Sequence, residues 1–311
     1  MDKKATRESY GEALVMLAEK RPDLVVLDAD LAAATKTGIF KKAYPDKHFD
    51  CGIAEANMMG VAAGIATTGK LVFASSFAMF AAGRAFEIVR NSICYPNLNV
   101  KIGATHAGIS VGEDGASHQC NEDIALMTAL PNMTVINPAD HVEAKAAVLA
   151  MADYVGPTYM RFGRLAAPIF NDEATYKFEV GKGIELKGGK DITIIATGLM
   201  VGEAIEAGKA LAEQGIDARI INIHTIKPID RDIIIKAAKE TGKIVTVEEH
   251  SVIGGLGSAV ANVVTEECPV PVIKIGVKDC FGHSGPAVDL LKEFGLCAEN
   301  IVNVTKAALG K

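Results

Sequence analysis

The chain has 311 residues, of which 49% are hydrophobic and 23% are charged, and its formal net charge at pH 7 is −6. This length accommodates two domains of ordinary size, and the acidic balance argues against nucleic acid as the main ligand. The N-terminal residues lack an apolar signal core, and the most apolar stretch, 58–83, is rich in small residues and interrupted by Lys70. We therefore expect no membrane partner and a cytoplasmic location.

The six cysteines form no C-x-x-C pair, and no two histidines have the spacing of metal ligands. This pattern argues against a disulfide scaffold and against a zinc site. We expect reduced, mostly buried thiols and no metal bound by this chain.

Short β-rich runs alternate with helical runs, which is typical of helices packed on a mostly parallel sheet. In the first half the pattern predicts, in chain order, a helix at 5–20, a strand at 24–27, a helix at 54–68, a strand at 71–74, a helix at 78–93, and strands at 99–103 and 133–137 before a helix at 140–152. Residues 165–190 contain no long periodic segment and predict a surface linker, in which one hairpin is possible.

A second series of strands and helices follows this linker. It predicts strands at 192–196, 218–223, 244–248 and 272–276, helices at 201–214, 230–240 and 255–266, and terminal helices. The predicted fold class is therefore α/β with two domains, 1–180 and 181–311, each a mostly parallel sheet flanked by helices.

Residues 103–119, GATHAGISVGEDGASHQ, combine several glycines with titratable side chains. His106 and His118 can donate hydrogen bonds or transfer protons near neutral pH, and Asp114 can accept a bond from a hydroxyl group. Glycine allows a backbone to approach a ligand closely. The alternative is an ordinary solvated turn.

Glu55 begins a predicted helix that consists almost wholly of small and apolar residues. A carboxylate beside such a surface would be desolvated and thereby prepared to share a proton. The alternative is a water-exposed carboxylate that is favoured by the helix dipole. Phe77 and Phe80 are three residues apart and share a face of the next predicted helix, either as core residues or as a stacking surface for a flat heterocycle near Glu55.

Arg7, His106 and Arg161 are candidates for contacts to an anionic ligand, although an exposed arginine without a ligand is the commoner case. Arg161 follows a strand-like segment, and ligands of parallel sheets commonly bind at strand ends. The segment GGLGS at 254–258 precedes a predicted helix and resembles a phosphate cradle, but glycines at a helix cap explain it more simply.

The motifs resemble the C-terminal half of transketolase over essentially the whole chain. The segments that carry the resemblance include GIAEANM (52–58), SSFAMFAAGRAFEIVR (75–90), THAGISVGEDGASHQ (105–119), TYMRFGR (158–164) and VEEHSVIGGLGSAV (247–260). The resemblance implies a pyrimidine-binding domain, followed by the transketolase C-terminal domain, in an enzyme that uses thiamine diphosphate.

The resemblance also implies roles for residues around the cofactor. Glu55 matches the glutamate that bonds the pyrimidine ring and so helps the cofactor to lose its thiazolium proton. Phe77 and Phe80 match aromatic residues around that ring, and Asp30 matches an aspartate near the thiamine end. A third aromatic residue of some family members is replaced near Gly83 or Arg84.

For the sugar phosphates, the resemblance implies contacts through His106, Asp114 and His118, and we expect both histidines to take part in catalysis. Arg7 and Arg161 match arginines that hold the substrate phosphate. The family often has a serine as a further phosphate contact, where Ala34 and Thr35 stand in this chain.

The chain contains no GDG motif, which binds the diphosphate and Mg²⁺ in thiamine diphosphate enzymes, and GEDG at 112–115 is not that motif. We therefore expect a separately encoded subunit whose N-terminal partner subunit supplies the diphosphate and Mg²⁺ site, the pair assembling as a dimer of heterodimers.

The expected activity is transfer of a two-carbon ketol unit from a ketose phosphate to an aldose phosphate, as in the pentose phosphate pathway. Related enzymes remain open: a deoxyxylulose-phosphate synthase-like or 2-oxo-acid dehydrogenase E1 β-like subunit, or a transketolase for an unusual sugar. A non-catalytic scaffold or regulatory module is the alternative from another class.

Overall fold

The computed structural model describes residues 2–311 and has helices packed on the faces of mostly parallel sheets. The strands are β1 (Lys3–Ala5), β2 (Leu24–Asp28), β3 (His48–Asp50), β4 (Leu71–Phe77), β5 (Val100–Thr105), β6 (Thr134–Ile136), β7 (Thr158–Phe162), β8 (Ala166–Pro168), β9 (Ile184–Lys187), β10 (Ile192–Ala196), β11 (Ala218–Asn222), β12 (Thr225–Lys227), β13 (Ile244–Ser251) and β14 (Val272–Val277).

The helices are α1 (Thr6–Lys20), α2 (Ala32–Thr35), α3 (Thr37–Ala43), α4 (Glu55–Ala66), α5 (Phe86–Ile88), α6 (Asp123–Thr128), α7 (His141–Met151), α8 (Met200–Glu213), α9 (Arg231–Thr241), α10 (Leu256–Glu267), α11 (Ala287–Glu293) and α12 (Ala298–Ala308). Two π-helical turns, Met79–Arg84 and Val89–Cys94, flank α5, and a 3₁₀ segment spans Ile109–Asp114. Among the described residues, no helix is both long and apolar enough to cross a membrane.

The first sheet has seven strands in the order β12-β6-β7-β5-β4-β2-β3. Its neighbours are parallel, except that β12 is antiparallel to β6. Every residue of β2, β4, β5 and β7 is buried. Because both faces of these strands are covered, their apolar residues are not confined to alternate positions, and the apolar runs at the starts of β2 and β4 made those two strands predictable.

The second sheet has five strands in the order β14-β13-β10-β11-β9, of which only the edge pair β11–β9 is antiparallel. Helix α8 packs on this sheet through the face that includes Val201, Ala204 and Leu211. Helices α7 and α9 are capped at their N-termini by Asp140 and Asp230, whose carboxylates accept the backbone N–H of the residue three positions later. The predicted α/β fold class is confirmed.

Two features of the linker differ from expectation. The possible hairpin does not form within 165–190, since β8 pairs with β1 at the N-terminus and β9 pairs with β11. Strand β12, which follows β11 of the second sheet, returns to the edge of the first sheet. The domain boundary near residue 180 stays a prediction, because β12 joins the first sheet from beyond it.

The predicted helix at 78–93 is wrong in detail. The chain forms the two π-helical turns with three α-helical residues between them, and β4 extends to Phe77. A π-helical turn accommodates one residue more than an α-helical turn and is frequent at functional sites. Phe77 therefore ends a strand and Phe80 lies in a π-helical turn, rather than both lying on one regular helix.

Candidate active site

Several of the predicted site residues follow directly after parallel strands of the first sheet. Phe77 is the last residue of β4, His106 follows β5, and Asp30 comes two residues after β2. Because the carboxyl ends of parallel strands meet at one edge, the fold brings these residues to the same edge of the sheet, where ligands of open α/β sheets commonly bind.

Glu55 is the first residue of α4, and only 1% of its surface is exposed. One carboxylate oxygen accepts a hydrogen bond from the Ser76 hydroxyl (3.2 Å), and the other accepts one from Nη1 of Arg84 (2.6 Å). Glu55 thus stands at a helix start, as in the interpretation of a carboxylate that the helix dipole favours. It is buried, however, as the interpretation of a desolvated, proton-sharing carboxylate required. A buried carboxylate held by a hydroxyl and a guanidinium is well placed to bond a ligand nitrogen.

Phe77 and Phe80 present nearly parallel rings, with centroids 6.1 Å apart and an interplanar angle of 13°. The imidazole of His106 stacks on Phe77 at 3.9 Å. The ring of His118 meets Phe80 edge-on at 5.3 Å and 80°. Two phenylalanines and two histidines therefore form one aromatic cluster, and the arrangement offers flat surfaces to a heterocycle.

His106 is buried and has a positive φ of 56°, which is uncommon for a residue with a side chain. Its Nε2 lies 2.9 Å from Nη1 of Arg7, and its Nδ1 lies 2.8 Å from the Thr105 hydroxyl. An arginine can only donate, so Nε2 accepts and Nδ1 carries the proton. Burial and the nearby Arg7 lower the pKa of His106 to about 3, so the imidazole is neutral at physiological pH.

Asp114 and His118 lie on the loop that contains the 3₁₀ segment. Asp114 is exposed, and His118 is partly buried beside Phe80 with Nδ1 2.9 Å from the Ser117 hydroxyl. The structure brings His118 into the aromatic cluster with Phe77 and Phe80, whereas Asp114 is exposed to solvent. An exposed carboxylate there can accept a hydrogen bond from a substrate hydroxyl.

The second half of the chain holds this loop in place. The side chain of Gln119 donates to the carbonyl oxygen of His283 (2.9 Å), and the carboxylate of Glu249 accepts the backbone N–H of Ser110 (2.6 Å). Gly282 allows the close approach, since a Cβ atom there would lie 2.1 Å from Oε1 of Gln119. Gln119 and Glu249 were not singled out from the sequence, because their role depends on long-range contacts.

Arg161, which the sequence indicated as a contact to an anionic ligand, is bonded inside the chain, whereas Arg164, which was not singled out from the sequence, is partly exposed. Arg161 is buried inside β7, where Nε donates to Asp123 (2.8 Å) and Nη2 donates to the Glu249 carbonyl oxygen (2.8 Å). These bonds occupy the guanidinium inside the chain, so we no longer assign Arg161 a direct contact to a substrate phosphate.

Arg164 lies beyond the end of β7, partly exposed, and bonds Glu113 at 2.8 Å. Its positive charge lowers the pKa values of both Arg7 and His106, after the larger effect of burial. Lys36 also contributes to the lowered pKa of His106. Three cations therefore act on the pKa of one imidazole, of which Arg7 bonds it directly, and such a group of positive charges suits an anionic ligand group.

Asp30 is exposed and has a φ of 60°, and its backbone N–H donates to the Asp50 carboxylate (3.0 Å). It lies two residues beyond the end of β2, the strand that pairs with β4. Its contact to a cofactor stays a prediction.

The glycine-rich segment at 254–258 caps a helix and does not form an open phosphate cradle. The carboxylate of Glu248 accepts the backbone N–H groups of Leu256 (2.6 Å) and Gly257 (2.8 Å), at the N-terminus of α10. Burial raises the pKa of Glu248 to about 7. An internal carboxylate thus occupies the position that a phosphate would need.

A cleft of about 620 Å³ adjoins the cluster and is lined by both halves of the chain. Its wall includes Phe80 and Arg84 from the first half and Ser251, Cys280 and Phe281 from the second. Among residues 2–311, no three His, Cys, Asp or Glu side chains converge as a group that could hold a metal ion.

Comparison with known proteins identifies two family regions in the chain. The family described as "Transketolase, pyrimidine binding domain" matches residues 2–169, and the family described as "Transketolase, C-terminal domain" matches residues 181–301. A protein of Methanocaldococcus jannaschii with the provisional name transketolase C-terminal section is 54% identical over 300 residues, which cover 96% of this chain and 94% of that protein.

Two further proteins also match this chain over nearly the whole length of both chains. A 6-deoxy-6-sulfo-D-fructose transketolase subunit of Clostridium sp. is 43% identical over 296 residues, covering 95% of this chain and 92% of that subunit. A solved structure described as an inactive β4 tetramer of a split-gene transketolase has 55% sequence identity and a TM-score of 0.92, and covers 98% of each chain.

The chain belongs to the transketolase family, and it comprises that family's pyrimidine-binding and C-terminal regions. Membership implies dependence on thiamine diphosphate, the cofactor whose pyrimidine end gives the first region its name. The resemblance read from the motifs is therefore confirmed.

Proposed function

We propose that this chain is the C-terminal subunit of a transketolase that transfers a two-carbon ketol unit from a ketose phosphate to an aldose phosphate. An N-terminal partner subunit supplies the diphosphate and Mg²⁺ site, and two chains of each kind assemble into a heterotetramer. The proposal includes a cytoplasmic role in the pentose phosphate pathway. The observation that carries it is the buried carboxylate of Glu55 beside the parallel rings of Phe77 and Phe80.

These residues fit an aminopyrimidine. Glu55 offers a carboxylate, at the start of α4, to a ring nitrogen, and the phenylalanines offer apolar faces to a flat ring. When bound, thiamine diphosphate supplies the electron sink for carbon–carbon bond cleavage. The part of this chain is to hold the ring, to exclude water around it, and to share a proton at the Glu55 carboxyl group.

The residues around His106 would bind the sugar. His106 is neutral, and both of its ring nitrogens are already oriented, by Arg7 and by Thr105, so it can serve as a fixed polar wall. His118 is placed to exchange a proton with a substrate hydroxyl, and Asp114 to accept a hydrogen bond from one. Arg7 and Arg164 are the cations that we assign to the substrate's anionic end.

The sugar range is open within this proposal. The relative named for 6-deoxy-6-sulfo-D-fructose acts on a sulfonated sugar by its name, and a cation cluster can bind a sulfonate as well as a phosphate. A split-gene relative whose β4 tetramer is described as inactive supports the need for a partner.

The test combines the chain with its N-terminal partner, thiamine diphosphate and Mg²⁺, and compares donors by product analysis. We expect ketol transfer from xylulose 5-phosphate, weaker use of pyruvate, and no transfer by the chain alone. A preference for pyruvate would contradict the transketolase assignment. Robust ketol transfer by the isolated chain would contradict the partner requirement, and a preference for a sulfonated donor would change the substrate class.

A further inference from the structure

Arg84 contacts both of the features that define the candidate cofactor site, the Glu55 carboxylate and the Phe80 ring. Its Nη1 donates to Oε2 of Glu55 at 2.6 Å, and its guanidinium carbon lies 4.5 Å from the centroid of the Phe80 ring. The side chain of Arg84 is 48% exposed, whereas that of Glu55 is 1% exposed. The guanidinium therefore lies between the buried carboxylate and the cleft.

The π-helical turn Met79–Arg84 produces this arrangement. It carries Phe80 near its start and Arg84 at its end, so that the guanidinium reaches back over the ring of its own turn. Glu55 comes from a different element, α4, and meets Arg84 from the buried side. Because Arg84 lines the cleft, its side chain can leave Glu55 without disturbing the core.

A guanidinium and an aminopyrimidine have similar recognition chemistry. Both are flat, both present nitrogen atoms around an N–C–N unit, and both can bond a carboxylate while stacking on an aromatic face. One carboxylate oxygen and one ring face cannot hold both groups at the same time. Arg84 is thus an internal group that competes for the place of an aminopyrimidine.

We propose that Arg84 is a positioning residue for Glu55: it occupies the carboxylate while the chain is without cofactor, and an aminopyrimidine displaces it on binding. This inference rests on the proposed function, which supplies the identity of the displacing group. The apparent affinity of a site is reduced by the fraction of molecules in which the site is closed. Arg84 should therefore weaken cofactor binding in the wild-type chain.

The experiment measures thiamine diphosphate binding by isothermal titration calorimetry, with the chain reconstituted with its partner and Mg²⁺. Arg84→Gln should lower the dissociation constant about fivefold, the effect expected when a partly exposed ion pair no longer competes. Arg84→Lys, which keeps the charge but not the flat group, should give a smaller gain. Arg90→Gln is the matched control, because Arg90 is exposed on the next π-helical turn and its side chain bonds that of its neighbour Asn91.

A second readout ties the effect to Glu55. The gain from Arg84→Gln should vanish in the Glu55→Gln background, and circular dichroism should show that each variant is folded. In the isolated wild-type chain, the Nε–H resonance of Arg84 should shift when 4-amino-2,5-dimethylpyrimidine is added, and this resonance reports displacement without any turnover.

Unchanged binding in Arg84→Gln would overturn the inference, as would binding that is weakened, since weakening means that Arg84 contacts the cofactor directly. An unshifted Arg84 resonance at saturating probe would overturn it too. If the wild-type complex binds no thiamine diphosphate at all, the proposed function fails as well. If the wild-type complex binds thiamine diphosphate and the Arg84→Gln variant binds it no more tightly, the inference fails while the proposed function stands.

Discussion

The carboxylate of Glu249 accepts a hydrogen bond of 2.6 Å from the backbone N–H of Ser110, which joins the second sheet to the loop that carries Asp114 and His118. Glu249 is buried, and the attraction of Arg161 partly offsets the rise that burial causes in its pKa. The second half of the chain is therefore part of the support of the candidate active site, even though none of the predicted site residues comes from it.

Removing this support should destabilise the chain and loosen the loop. Glu249→Ala leaves the buried N–H of Ser110 without an acceptor, which costs about 1–3 kcal/mol in the free energy of unfolding. Urea unfolding checks this value, and a higher KM for the sugar substrate checks the effect on the loop. Glu249→Gln keeps an acceptor oxygen and should recover most of the loss, whereas Glu213→Ala on the exposed end of α8 should change stability by less than about 0.5 kcal/mol.

Arg161 and Arg164 should respond to substitution in opposite ways. Arg161→Met leaves the buried carboxylate of Asp123 unpaired and should cost about 3–5 kcal/mol of stability. Arg164→Met should leave stability nearly unchanged and raise KM for a phosphorylated donor about tenfold, the scale of one lost charge-assisted hydrogen bond.

Unfolding curves and steady-state kinetics with a phosphorylated and an unphosphorylated donor separate the two effects. A KM that rises equally for both donors in Arg164→Met would contradict an anion contact. A stable, folded Arg161→Met variant would contradict the structural role of Arg161.

Glu143 should make stability fall as the pH rises. Burial raises the pKa of Glu143 to about 7, from an ordinary value of 4.5. The folded chain thus binds this proton more tightly than the unfolded chain, and the contribution to stability is complete below pH 4.5 and lost as the pH rises to 7. Within that window the slope approaches about 1.4 kcal/mol per pH unit.

Glu143→Gln removes this titration while keeping the shape of the side chain, which contacts Tyr176 and Asn222. Relative to the variant, the wild type should lose stability between pH 4.5 and 7 in urea unfolding experiments. The exposed Glu206→Gln serves as control. Parallel pH curves for the wild type and Glu143→Gln would show that Glu143 does not titrate in this range.

Two glycine substitutions should change the stability of the chain in opposite directions. A methyl group at Gly255 would lie 2.0 Å from Oε2 of Glu248, so Gly255→Ala should disrupt the cap of α10 and lower the melting temperature. Gly64 in α4 has open space around its Cβ position, and Gly64→Ala should stabilise the isolated chain by about 0.5–1 kcal/mol. Differential scanning calorimetry distinguishes the two, and a stabilising Gly255→Ala would refute the cap.

The sequence predicted the elements whose signal is local. Strands such as β4 and β10 are rich in apolar residues at consecutive positions because they are buried on both faces, and such runs are visible without a structure. The pairing of β12 with β6 was not visible, because it joins Thr225 to Ile136, two residues that lie far apart in the sequence. The break of the predicted helix at 78–93 was not visible either, since its composition suits a regular helix.

The candidate site shows the same division between local signals, which are visible in the sequence, and long-range packing, which is not. Motif positions identified Glu55 and the two phenylalanines, but whether Glu55 was exposed or buried depended on the packing of α4 against β4. Arg161 was singled out from the sequence and Arg164 was not, because the motif TYMRFGR does not state where its strand ends. Arg161 lies within β7 and is buried, whereas Arg164 lies beyond its end and is accessible.

The central claim is that the carboxyl group of Glu55 shares a proton with the cofactor's pyrimidine ring. The most direct measurement is the turnover of the reconstituted complex carrying Glu55→Gln, compared with the exposed control Glu87→Gln. We predict a loss of about hundredfold or more in kcat for Glu55→Gln, in keeping with the loss of one proton-transfer group, and no loss for Glu87→Gln. Equal turnover in the wild type and in Glu55→Gln would contradict the account.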